Sequence, residues 1–298
     1  MPERPLLPVS EAYDLVELAR IGIINRTINM LDFMLADASG VYEKHGLTVQ
    51  FDLLGGLRSI EALRGGELDV VVSIGAAVRA IMQDQTPVRV VLLVHRNGPH
   101  WVMGKPGVTD ALALKGGSVQ AGDRGTEPDL MVRKWLRASG LEPDVDVELT
   151  YEKAHAGWTD DGPEPAETAA IARTLEREVL EAKGYAPLVE LASTFPNTLI
   201  HGLVVMRSTI EVRPAMIDTL IAAHRDVSAM IDEASPEALS FIKQTWGVDD
   251  GRARSAAASL NGVFVARRDV ADFGPVIASS AEALGMPPID VADLVTFA

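Results

Sequence analysis

Apolar positions in the first hundred residues fall into short runs separated by polar stretches punctuated with glycine. Leu18 to Ile24 is a β-rich run, and Ile28 to Ser39 has helical spacing with Gly40 placed to cap its end. Leu47 to Leu53 predicts a second strand, and a helix opens at Gly55-Gly56, runs through Leu63 and stops at Gly65-Gly66. Leu68 to Ser73 is almost continuously apolar, as expected of a parallel strand buried on both faces; a helix over Gly75 to Gln83 and a strand over Val88 to Val94 follow. Strands alternating with short helices imply right-handed crossovers and an open parallel sheet covered on both faces.

A second cycle starts further on. Ser118 to Ala121 reads as strand, Glu127 to Ser139 as helix and Asp144 to Leu149 as strand. Tyr151 to Pro165 carries Gly157, Gly162, Pro163, Pro165 and Asp160-Asp161 without periodicity, the signature of a long loop. Thr168 to Lys183 has amphipathic helical spacing, Ile200 to Met206 reads as a strand, and from Arg213 onward the pattern is helical throughout. The fold class is therefore α/β with a helical C-terminal part.

Composition narrows the chemistry. Among 298 residues, 27 basic against 42 acidic side chains leave a formal charge of -15, a field that repels a phosphate backbone, so no nucleic acid is expected as a partner. No apolar run reaches the ~20 residues of a membrane span. Cysteine is absent, which excludes thiolate nucleophiles, cysteine-ligated zinc and disulfides. The segment Met1 to Pro8 has no basic region leading into an apolar one, so a cytoplasmic location is expected as the sequence stands, and an extracytoplasmic one if an export signal has been trimmed. No Walker sequence, dinucleotide fingerprint, nucleophile elbow or His-Glu-x-x-His helix is present, so no cofactor is expected.

Several fragments share an order and spacing with a known family: Gly40 to Val49, Gly55-Gly56, Gly65 to Val70, Pro87 to Val91, Lys105 to Val108, Leu114 to Val119 and Leu136 to Leu141. Over roughly residues 20 to 150 the chain resembles the nitrate/sulfonate/taurine-type solute-binding proteins and their relative thiamine-pyrimidine synthase, with weaker agreement at Gly184-Tyr185 and in the C-terminal helices. The resemblance implies a periplasmic-binding-protein type II fold: lobe one over residues 15–103 and 206–298, lobe two over 104–205, and a hinge near Val102–Gly104 and Val204–Met206. It departs at Glu167 to Lys183, which lacks the family's Gly-x-Ile/Val-Asp-Ala element. The family also holds cytoplasmic enzymes, the pyrimidine synthase and an aromatic sulfinate desulfinase, whose cysteine-dependent chemistry this chain cannot perform.

Ligands of open α/β sheets sit beyond the carboxyl ends of the strands. Those ends carry Asn25-Arg26-Thr27, Gly56 to Ser59 with Arg58, Ser73-Ile74-Gly75, His95-Arg96 and Asp123-Arg124 with Thr126; four of the five hold an arginine. Guanidinium matches carboxylate or sulfonate as a planar fork, and a helix N-terminus adds free N–H groups. Thr126 with Asp129 three residues on also fits an N-cap. Trp101 and Trp158 are candidates for a cleft wall. Of six histidines, His45 and His224 read as structural, while His95, His100, His155 and His201 lie by the supposed cleft and are the candidate acid–base groups of an enzyme; no pair is spaced for a metal. Two expectations follow: a receptor that closes on a small organic anion and delivers it to an ABC transporter permease, or a cytoplasmic decarboxylase, lyase or hydrolase on the same fold.

Overall fold

The computed structural model describes residues 17–151, 158–268 and 270–296. Two sheets organise them. The first has six strands in the order β11-β4-β10-β3-β1-β2, with β1 Glu17–Ile23, β2 Leu47–Leu53, β3 Val70–Ser73, β4 Val88–Arg96, β10 Ile200–Met206 and β11 Phe264–Arg267. The second has five in the order β7-β6-β8-β5-β9, with β5 Trp101–Gly104, β6 Ser118–Gln120, β7 Glu148–Thr150, β8 Ala169–Ala172 and β9 Ala186–Glu190.

Both sheets obey one rule. One strand of each, β1 or β6, lies between two parallel neighbours, and beyond one of those neighbours comes an antiparallel strand: β10 between β3 and β4, β5 between β8 and β9. In each sheet that antiparallel strand is the first laid down after the chain crosses from the other sheet. The near-continuous apolar run of β3 is buried at every residue, as a strand with helices on both faces requires. One face of the first sheet packs beneath the helices Leu31–Ala38 and Pro214–Asp232, the other beneath Gly56–Arg64, Ile74–Asp84 and Gly274–Leu284.

Three sequence expectations change. Val102–Gly104 and Val204–Met206 lie inside β5 and β10, and the chain crosses instead over residues 97–100 and 191–199, where Pro99 and Pro196 have no N–H to offer a ladder. Thr168 to Lys183 is not one helix: its first part is β8, buried throughout and paired on both sides, and the helix Thr174–Ala182 begins only after it. Ala-Ala-Ile-Ala favours helix by propensity, and pairing against β5 and β6 overrides it. The C-terminal third is not wholly helical either, since Phe264–Arg267 adds β11 antiparallel to the edge of β4. Among the described residues no helix is long and apolar enough to cross a membrane.

The two crossings are clasped to each other. Asn97 and Asn197 both adopt left-handed backbone, φ 50° and 57°, a region asparagine tolerates better than most residues. The Asn97 side chain donates to Asn197 Oδ1 at 3.1 Å and accepts from the Asn197 backbone N–H at 2.6 Å, while the Asn97 N–H donates to the Leu199 carbonyl at 3.0 Å.

Candidate functional site

The carboxyl ends of the strands in the first sheet face the second lobe, and three adjacent strands place polar residues side by side there. His201, at the start of β10, is the register partner of Ser73 on β3 and of His95 on β4. The rings of His95 and His201 stack with centroids 4.8 Å apart and planes 22° apart. His95 also packs against Gly98, where a methyl group would overlap its ring. His100, in the first crossing, bonds through Nδ1 to the Gly98 carbonyl at 2.9 Å, and the Asn29 amide lies 3.4 Å from its Nε2. The carbonyl contact requires the Nδ1–H tautomer, so Nε2 is left as the acceptor.

All three rings are held neutral. Burial is the main cause in each. It pushes His95 well below the ordinary histidine range, with His201 and His100 adding to the effect. His100 falls to about 3, assisted by the Arg173 charge, and His201 to about 4, where Glu127 opposes the shift and Arg173 adds to it. Both ring nitrogens of His95, Nδ1 of His201 and Oδ1 of Asn29 are buried without a hydrogen-bond partner.

The second lobe supplies Arg173, set between β8 and the helix Thr174–Ala182. Its backbone N–H donates to Glu176 Oε2 at 2.8 Å and its guanidinium to the same carboxylate at 3.1 and 3.2 Å, which fixes a buried cation at the head of the helix. Beside it a pocket of about 500 Å³, open solvent at its mouth included, runs between the lobes. Thr27, Ile28 and Trp246 line it from one lobe, and Trp158, Arg173 and Val179 from the other. Asn25 shapes the first wall by accepting from both the N–H and the hydroxyl of Thr27, at 3.1 and 2.7 Å. Trp158 is fixed by its indole N–H donating to the Ile171 carbonyl at 3.1 Å.

Polar bridges join the lobes on opposite sides of the cleft. On one side Arg79 meets Glu127 at 2.7 Å. On the other, Arg252 meets Asp160 at 2.7 Å and Glu178 at 3.0 Å, and the Ser259 hydroxyl donates to Thr174 Oγ1 at 3.2 Å. Arg252 is partly exposed, so Arg252→Ala should remove about 1 kcal/mol of closure energy, a roughly fivefold shift toward an open form. Small-angle scattering reads this directly, as a larger radius of gyration in the variant; identical profiles would mean these ion pairs do not hold the lobes together.

The strand-end candidates separate into two groups. Thr27, Ser73, Ile74, Gly75, His95, His100 and His201 sit where the lobes meet, Trp158 lines the pocket, and buried Trp101 lies behind it under the Arg177 guanidinium, 4.8 Å from its ring. Arg26, Arg58 and Arg124 are exposed, Arg124 lying over Tyr151 at 4.6 Å, and Arg96 stands 3.7 Å from Asp272. Ser59 closes the first turn of its helix by donating to the Gly56 carbonyl at 2.7 Å. Thr126 occupies the N-cap backbone position, but its hydroxyl donates to the Asp123 carbonyl at 2.6 Å rather than accepting from the helix. His155 lies outside the described residues. Asn29, Arg79, Glu127 and Arg173 were not foreseen: each falls within a stretch read as helix, where a charged or amide side chain is ordinarily solvated.

No protein-family profile matches the chain, and no curated protein matches its sequence. Solved structures do. A protein of Bordetella bronchiseptica RB50 superposes with a TM-score of 0.72 at 19% identity over 94% of both chains. The alkanesulfonate-binding protein SsuA of Xanthomonas axonopodis pv. citri, bound to MOPS, gives 0.74 at 14% identity over 94% of this chain and 98% of that one. The desulfurization enzyme DszB, as a cysteine-to-serine variant in complex with biphenyl-2-sulfinic acid, gives 0.64 at 14% over 95% and 97%. With the paired strand orders of its two sheets, the chain has the periplasmic-binding-protein fold.

Proposed function

We propose that the protein is a two-lobed receptor that closes on a small organic anion, a carboxylate or sulfonate, and delivers it to an ABC importer, a role exercised outside the cytoplasmic membrane. The observation that carries this reading is the pocket between the lobes, which sets the buried Arg173 cation beside an apolar wall of Ile28, Trp158, Val179 and Trp246. Such a surface suits a ligand with an acid group at one end and a hydrocarbon body at the other. The alkanesulfonate-binding SsuA on the same fold supports it. The histidines favour binding over catalysis: with burial holding His100 near 3 and His201 near 4, neither is an imidazolium acid at neutral pH, and each is a weak base.

Thermal-shift screening tests the reading. Carboxylates and sulfonates should raise the melting temperature where neutral or cationic isosteres do not, with about 2.7 kcal/mol of added stability at 100-fold excess over Kd. The ligand should be recovered unchanged after prolonged incubation. Stabilisation by cations alone, or chemical conversion of the ligand, would overturn the assignment.

A further inference from the structure

The start of the helix Ile74–Asp84 is expected to seat an anion, and a carboxylate of the protein's own stands there. Ser73 holds the N-cap position with extended backbone, and its hydroxyl makes no capping bond. Gly75 leaves room that a side chain would fill: a methyl group at this position would overlap the Glu127 carboxylate. One turn on, Arg79 donates to Glu127 Oε1 at 2.7 Å, with both side chains largely buried, 7% and 13% exposed. Glu127 belongs to the opposite lobe, as the first residue of the helix Glu127–Ala138. His201, register partner of Ser73 and only 8% exposed, lies within the field of that carboxylate and keeps Nδ1 without a partner.

Free backbone N–H groups, the helix dipole, a guanidinium and a missing β-carbon together make an anion seat. We propose that Glu127 is a tethered occupant of that seat: it holds lobe two against lobe one when no other anion is bound, and an incoming acid group that takes the seat must displace it. This rests on reading the cleft as the site of a small organic anion. Two carboxylates cannot share one buried cation without strong repulsion, so seat and ligand affinity are coupled. A tethered competitor lowers apparent affinity by the fraction of time it leaves the seat empty. Charge at position 127 therefore sets how tightly the cleft takes anions.

Inorganic sulfate is the probe, measured by calorimetry on the full chain. Glu127→Gln keeps the shape and removes the charge, so it should bind sulfate at least tenfold more tightly than the wild type. Adding Gly75→Ala should abolish the gain, because the methyl fills the seat. Gly75→Ala alone keeps both charges and tests the contact by shape: it should enlarge the particle in small-angle scattering by expelling Glu127. Equal sulfate affinity in wild type and Glu127→Gln, a gain that survives Gly75→Ala, or an unchanged radius of gyration in the single glycine variant would overturn the proposal. Failure of every organic anion to bind either protein, with the sulfate gain intact, would overturn the receptor reading and leave the role of Glu127 standing.

Discussion

Acid should unfold this protein well above the usual carboxylate range. The three cleft histidines are neutral in the fold, His100 and His201 with pKa values of about 3 and 4 and His95 shifted the same way, against about 6.5 in an unfolded chain. A base whose folded pKa is depressed contributes fully above the unfolded value and loses that contribution as pH falls toward the folded one. The window is therefore pH 6.5 down to about 4. His100 and His201 should each remove about 1.4 kcal/mol per pH unit there, or about 2 kcal/mol each between pH 7 and pH 5, and His95 adds to the loss in the same direction. Together these losses are a large fraction of the stability of an ordinary domain. Asp32, raised by burial beside His224, and Asp37, raised by partial burial and the Glu43 charge, work in the opposite direction. Urea denaturation at pH 7, 6 and 5 measures the slope, which His201→Asn or His100→Asn should reduce by about 1.4 kcal/mol per pH unit each. A flat profile over this range would show that the rings accept protons without disturbing the cleft.

Arg173→Met should have the largest effect of any single change at the pocket. Glu176 is 5% exposed and, apart from the Arg173 backbone N–H, owes its neutralisation to the guanidinium. Stripping the cation from a buried pair costs about 3–5 kcal/mol. A second change, Glu176→Gln, should recover most of that stability by removing the stranded charge. Ligand affinity should not return with it: losing a charge-assisted bond weakens anion binding by about 1.5–3 kcal/mol, a 10- to 150-fold rise in Kd. Recovery of both properties in the double variant would mean that Arg173 serves the helix and not the ligand. Because the Arg173 charge also depresses His100 and His201, both variants should show a shallower loss of stability in acid.

The first lobe is legible in the sequence because its strands and helices each announce themselves: β3 as an uninterrupted apolar run, its helix opened by Gly75, the turns marked by paired glycines. β8 is not, because four small apolar residues followed by a well-patterned helix read as more helix, and only the neighbours β5 and β6 decide otherwise. The site divides similarly. Glycine, serine and histidine at strand ends are visible as positions, since the fold rule says where ligands go. Cations are visible only as a type: arginines in loops draw the eye, yet Arg58 and Arg124 are exposed, while Arg79 and Arg173 face the cleft from helical stretches. Arg79 meets a carboxylate 48 residues away on another lobe, a pairing that no local spacing encodes.

The asparagine clasp at the crossings has a mechanical consequence. Two unlinked connecting segments would let the lobes bend, twist and slide about separate pivots. With Asn97 and Asn197 bonded to each other and the chain around them tied to Leu199, both segments must turn together about a single pin. Opening then has essentially one degree of freedom, so the bridges on the two flanks of the cleft separate in concert, and whatever enters meets the same gate each time.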